Sequence, residues 1–240
     1  MQPCAMFVAV AAFLAPAAAP DPDPAAILAR GQAEMARKDY PAALRTFLTL
    51  PTGADTALGQ ATREAVVSAY AHAGGPEAAL RLFRHVAGDH APAMLERLAA
   101  RYAQLGRFSD SGRIYQQMIA LNPMSPSVCV WQVAVLHNTL IAGTKAEQLF
   151  QIRMLVIIDN ALESRRAKGR FQCHDALHDI LFELSEIWTK EMTTGCTAYS
   201  WQHWPQLEML LKDTLEAFPN DQRAPEVRGY LAHLHDLQRR

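Results

Sequence analysis

The chain has 240 residues, half of them apolar, with 23 basic and 24 acidic side chains. That is ample material for a core, and the near-neutral balance excludes a global electrostatic pull towards nucleic acid or an acidic membrane. Ala and Leu are plentiful, aromatics are few, and no alternating Val/Ile/Thr run is bounded by turn pairs, so helices are expected and strands are not.

The first stretch reads MQPCAMFVAVAAFLAPAAAPDPDP. Its apolar run, Ala5 to Ala15, is shorter than the ~20 residues a spanning helix needs. Small residues follow, then alternating Asp and Pro. The pattern resembles a secretory signal peptide over residues 1–19, cut near Ala17 or Ala19, with a linker over 20–24. No Lys or Arg precedes the run, so an Ala-rich N-terminus of a cytosolic protein is the alternative. No later segment is apolar enough to cross a membrane.

Residues 25–123 divide into three similar units. The first has Gly31, Tyr40, Ala43 and Phe47. The second has Tyr70, Gly74, Ala79 and Phe83. The third has Leu98, Tyr102, Gly106, Ser111 and Tyr115, with Pro123 as its close. From Ala43 to Ala79 is 36 residues and from Ala79 to Ser111 is 32, a mean of 34. Two short antiparallel helices approach closely only where the crossing residues are small. Ala43, Ala79 and Ser111 are the expected crossing points. Tyr70 and Tyr102 are expected to fill the gap between helices, and Phe47, Phe83 and Tyr115 to pack on the next unit. Gly74 and Gly106 are expected to close first helices in the left-handed conformation.

This period and these residue types resemble the tetratricopeptide repeat family. Glu34 stands where an aromatic is usual. The resemblance implies an all-α fold, a right-handed solenoid of antiparallel helix pairs with about eleven helices.

After Pro123 the spacing drifts, and 124–240 is read as divergent units of the same kind. Helices are expected from about Val128 to Ile141, and from Thr144 or Lys145 to Gly169. Others are expected over HDALHDILFELSEIWTKEMTTG with Gly195 as cap, over WPQLEMLLKDTLEAFPND with Pro219 as close, and over APEVRGYLAHLHDLQRR. The stretch 173–237 is similar in its AFPN closure, APE and YLA to the C-terminal units of secreted repeat proteins of myxobacteria, some of which serve gliding motility in the envelope.

Cys129, Cys173 and Cys196 would remain after loss of a signal that carries Cys4. Cys173 and Cys196 bracket a helix that would hold them ~30 Å apart, beyond bridging distance. Cys129 with either partner is open, beside the simpler expectation of three free thiols.

In the family, first helices line a groove that takes extended or helical peptides. The matching positions are Ala61, Glu64, Ser68 and Ala71 in the second unit and Glu96, Ala100, Ala103 and Gln104 in the third. Chaperone-binding members set Lys, Asn and Arg there to clamp a peptide carboxylate. Glu64 and Glu96 replace that clamp, which implies a partner helix or a basic segment.

His174 and His178 are four apart and share a helix face, a spacing that can hold zinc, although no third ligand follows at a known interval. A solvated polar face is the alternative. His233 and His235 are two apart and point to different faces. ESRRAKGR, with Arg165, Arg166, Lys168 and Arg170, suits a helix C-terminus. Trp201 and Trp204 are candidate interface aromatics, or plugs of the last junction. There is no Gly-rich phosphate loop, nucleophile elbow or Cys-x-x-Cys.

The sequence therefore points to a non-enzymatic scaffold for protein partners in a bacterial envelope assembly, periplasmic or outer-membrane-associated, with no catalytic residue, cofactor, metal or nucleic acid. A cytosolic adaptor or co-chaperone and a metal-dependent hydrolase using His174 and His178 are the alternatives.

Overall fold

The computed structural model of the chain describes residues 23–162, 172–194 and 202–239. All regular elements among them are helical: α1 (Pro24–Ala36), α2 (Tyr40–Phe47), α3 (Ala57–Ala73), α4 (Pro76–Ala87), α5 (Ala91–Gln104), α6 (Phe108–Leu121), α7 (Val128–Ala142), α8 (Lys145–Leu162), α9 (Gln172–Thr194), α10 (Trp204–Ala217) and α11 (Ala224–Gln238). A 3-10 turn, Gly88–His90, joins α4 to α5. The expected signal segment, Gly169, the basic patch at 165–170, Gly195, Cys196 and Trp201 lie outside the described residues.

Local chemistry sets most helix starts. Pro occupies the first turn of α1, α2, α4, α5, α10 and α11, where its missing N–H costs no hydrogen bond. Asp23 ends the expected linker as a cap: its carboxylate accepts the Ala25 N–H at 3.1 Å. Asp39 and Thr56 cap α2 and α3 in the same way. Thr144 and Glu147 form a reciprocal capping box on α8.

The small crossing residues are fully buried: Ala43, Ala79 and Ser111 each have no exposed surface. Phe47 and Phe83 are buried with them, each worth roughly 1.5–3 kcal/mol of removed apolar surface, whereas Tyr115 is half-buried. The Tyr70 ring meets Phe83 edge-on at 5.3 Å. Glu34, at the position usual for an aromatic, is buried too. It takes Thr46 Oγ1 at 2.6 Å and Arg30 Nε at 3.1 Å, which satisfies the carboxylate between α1 and α2.

One expectation about glycine fails. Gly106 has φ of 73° and closes α5 in the left-handed conformation, with Gly106 N–H on Ala103 O and Arg107 N–H on Tyr102 O. Gly74 instead has φ of −110° and ψ of 171°, extended backbone open to any residue. Gly is needed there because a Cβ would fall into the Tyr70 ring. At the same register in the first unit, Lys38 adopts the left-handed conformation with φ of 62°.

Two buried apolar clusters meet at α7. The first runs from Ala43 to Trp131 and the second from Cys129 to Leu234, so Trp131 looks one way and Cys129 and Leu136 the other. Odd-numbered helices contact odd ones in the first half, α1 with α3 and α3 with α5, while α4 contacts α6. Asn138 of α7 donates to Ser111 of α6 at 2.9 Å and seals the seam.

The expectation of free thiols is corrected as well. Cys129 and Cys173 form a disulfide between the starts of α7 and α9, with Cα atoms 5.4 Å apart. Both are buried in the second cluster, because α9 packs on α7 as well as on α8.

Candidate partner-binding face and histidine cluster

The groove positions do not all behave as expected. Ala61, Glu64, Glu96, Ala100 and Gln104 are exposed, and Ser68 and Ala103 are half-buried. Ala71 is a correction: it is fully buried, because its side of α3 faces into the first cluster, and its carbonyl accepts Arg107 Nη1 at 2.6 Å.

The carboxylates are not free either. Glu64 pairs with Arg97 of α5 at 2.5 Å, and Glu96 accepts the Trp131 indole N–H of α7 at 3.1 Å. Gln104 accepts Arg101 Nη1 at 3.0 Å. The face is therefore a strip of small side chains in which the carboxylates Glu64 and Glu96 have partners. Arg97 and Trp131 were missed by sequence reading. Their signal was the spacing, since Arg97 reaches back to Glu64 and Trp131 reaches Glu96 across 35 residues.

That relation recurs across the first half. Arg107 donates to Ala71 O and Gly74 O, residues 36 and 33 positions earlier. Arg113 pairs with Glu77 across 36 residues, Trp131 reaches Glu96 across 35, and Thr52 bonds Val86 O across 34. The Tyr102 hydroxyl also donates to Gly74 O at 3.1 Å, while Asp110 takes the Arg107 Nε at 2.8 Å. Burial pushes the Tyr102 hydroxyl up to about 12, so it stays a donor to the end of α3. Tyr40 stacks flat on His72 at 4.0 Å and ties α2 to α3, and burial lowers the His72 pKa.

The second site sits between α8, α9 and the α10–α11 turn. His174 Nδ1 lies 3.0 Å from Asp159 Oδ2 of α8. His178 lies between two carboxylates, Asp179 at 3.0 Å from Nδ1 and Asp221 at 2.9 Å from Nε2. The Phe218 ring stands 5.1 Å from each imidazole. The two histidines lie on a polar face of α9. Both rings are partly covered and held by acids, because α8 and the α10–α11 turn close over that side of α9.

A cleft of about 470 Å³ opens beside His174, lined among others by Arg153, Asp159, Asp213 and Phe218. Arg153 holds Asp213 in a two-point fork at 2.8 and 3.1 Å. The described lining of the cleft carries Asp159, His174, Asp213 and Glu216 but no Ser, Thr, Cys or Lys. Among the described residues, no group of three His, Cys, Asp or Glu side chains is placed to hold a metal ion. His235, whose ring faces Glu208 at 3.3 Å, is part of a separate surface contact.

Trp204 is the last correction. It is 7% exposed and sits in the second cluster with Leu207, Leu210 and Leu211, because the first turn of α10 points its indole inward. It is a core residue, not an exposed interface anchor. No protein-family model matches the chain, and no curated protein matches it.

Proposed function

We propose that this chain is a non-enzymatic scaffold that holds protein partners along the strip formed by α3, α5 and α7, built as a right-handed solenoid of tetratricopeptide-like helix pairs. The observation that carries the reading is the recurrence of contacts at 33 to 36 residues through the first half. A residue that regularly touches its counterpart one unit away is the mark of stacked repeats, in which each unit contacts only its neighbours. Stacking leaves first-helix side chains such as Ala61, Ala100 and Gln104 exposed side by side, a surface suited to a helix or an extended segment.

The Cys129–Cys173 bridge supports an oxidising compartment, since such bonds persist in the periplasm and are rare in the cytosol. Together with the signal-like N-terminus it favours a place in a bacterial envelope assembly over a cytosolic adaptor. The partnered imidazoles add nothing in favour of a hydrolase.

Photo-crosslinking in the native host tests the scaffold reading. A crosslinking amino acid at Ala61, Ala100 or Gln104 is expected to yield discrete protein adducts, while the same group at exposed Arg84 or His85 on α4 yields none. Equal labelling at both sets, or none at either, removes the strip as the partner surface. A mature N-terminus that retains residues 1–19 removes the envelope assignment.

A further inference from the structure

His178 stands at the junction of three elements, and its surroundings are built for a cation. Its Nδ1 faces Oδ1 of Asp179, one residue on in α9, and its Nε2 faces Oδ2 of Asp221 in the turn between α10 and α11, 43 residues away. A carboxylate only accepts. A neutral imidazole has one N–H, so it can satisfy one of the two acids while its other nitrogen turns a lone pair on the second. The imidazolium alone donates to both. The rings of Phe182 and Phe218 flank it at 4.9 and 5.1 Å.

Asp221 has two tasks. Its Oδ1 accepts the Arg223 backbone N–H at 2.8 Å, which fixes the turn that starts α11. Its Oδ2 reaches His178 of α9. One carboxylate thus ties the start of the last helix to the helix it packs on, and α9 contacts both α10 and α11. The other charged groups near the ring are His174 and Asp175 earlier on α9, Asp159 of α8 beyond His174, and Arg223, whose guanidinium lies 4.9 Å over the Phe182 ring.

We propose that His178 and Asp221 form a pH-sensitive clasp that seats the α10–α11 pair on α9 while His178 is protonated and loosens when it loses its proton. The hydrogen bond to Asp179, with that to Asp221, raises the His178 pKa above its ordinary 6.5, against a partial opposing effect of burial. The Arg223 N–H, with His178, lowers the Asp221 pKa below its ordinary 3.8. A raised histidine stabilises the folded form fully below 6.5, and that contribution fades as pH climbs through the higher folded-state value. A lowered aspartate contributes above 3.8 and fades as pH falls through its folded-state value. The clasp is closed between those limits and opens on the alkaline side. It stands independently of the scaffold reading.

The test uses the full chain. NMR of the His178 Cε1–Hε1 signal is expected to titrate above 6.5, and Asp221→Asn is expected to move the midpoint back towards 6.5. Asn still accepts the Arg223 N–H, so the turn is kept while the charge is removed. Amide exchange in α11, corrected for its intrinsic pH dependence, is expected to lose protection several-fold between about pH 6 and about pH 8.5, and His178→Gln is expected to abolish the difference. A native midpoint at or below the ordinary value overturns the clasp, as does the same alkaline loss of protection in either variant. Circular dichroism identifies a variant that fails to fold, and the native titration together with the other variant then decides.

Discussion

The first half of the molecule, α1 to α6, and the second, α7 to α11, solve the same problem by different means. In the first half, several long-range polar contacts share an interval of 33 to 36 residues, and the small side chains Ala43, Ala79 and Ser111 are fully buried. In the second half, contacts have no common interval. Arg153 meets Asp213 across 60 residues, Lys145 meets Glu191 across 46, and Ser185 meets Thr214 across 29. There each helix is held by particular partners, including one covalent bond. A repeated interface tolerates variation at any one position because its neighbours make the same contact again. A set of unlike interfaces depends on each of its members.

The largest expected effect breaks that second set. Cys129→Ser with Cys173→Ser frees a loop spanning 44 residues, which in the chain-entropy account removes about 4 kcal/mol of stability. Amide exchange should show the loss in α7 to α11 with α1 to α5 little changed. A uniform loss across both halves would mean that they unfold as one cooperative body.

Next comes a disturbance of the repeated set. Ala79→Trp forces an indole into a crossing with no exposed surface and should cost about 3 kcal/mol by overpacking. Its effect should be confined to α1 to α6, read by the same exchange experiment. Unchanged thermal stability would remove Ala79 from the crossing.

The smallest effect sharpens the regularity of the units. Lys38 and Gly106 hold the same left-handed position at φ of 62° and 73°, but Lys38 carries a Cβ there. Lys38→Gly should raise stability by about 0.5–1 kcal/mol by relieving the Cβ contact, measured by urea denaturation. A loss instead of a gain would show that the Lys38 side chain has its own role in that turn.

Legibility in the sequence followed the same divide. Ala43, Ala79, Ser111, Phe47 and Phe83 could be placed because a repeat states its packing rule three times over. Helix starts in the second half were also readable, since Pro and Thr144 mark them locally. What could not be read was pairing between unlike elements. The Cys129–Cys173 bond depends on α9 lying against α7, and the partners of His174 and His178 depend on α8 and the α10–α11 turn. Neither is encoded in a local interval. Gly74 was misread because a helix-ending glycine can serve steric clearance as well as backbone conformation, and only the position of the Tyr70 ring distinguishes the two. The partners of Glu64 and Glu96 were not legible, because Arg97 and Trp131 reach them from the following helices.

The disulfide has one more consequence, for a chain under mechanical load. A chain pulled from its two ends transmits tension along its backbone. The bond between Cys129 and Cys173 carries that tension directly from the start of α7 to the start of α9. The 44-residue span between them, with the whole of α8, is bypassed. About 150 Å of contour, at roughly 3.4 Å per residue, is withheld from extension however far the rest is drawn out. The oxidised protein is therefore a shorter tether than its reduced form, with a reach set by one covalent bond.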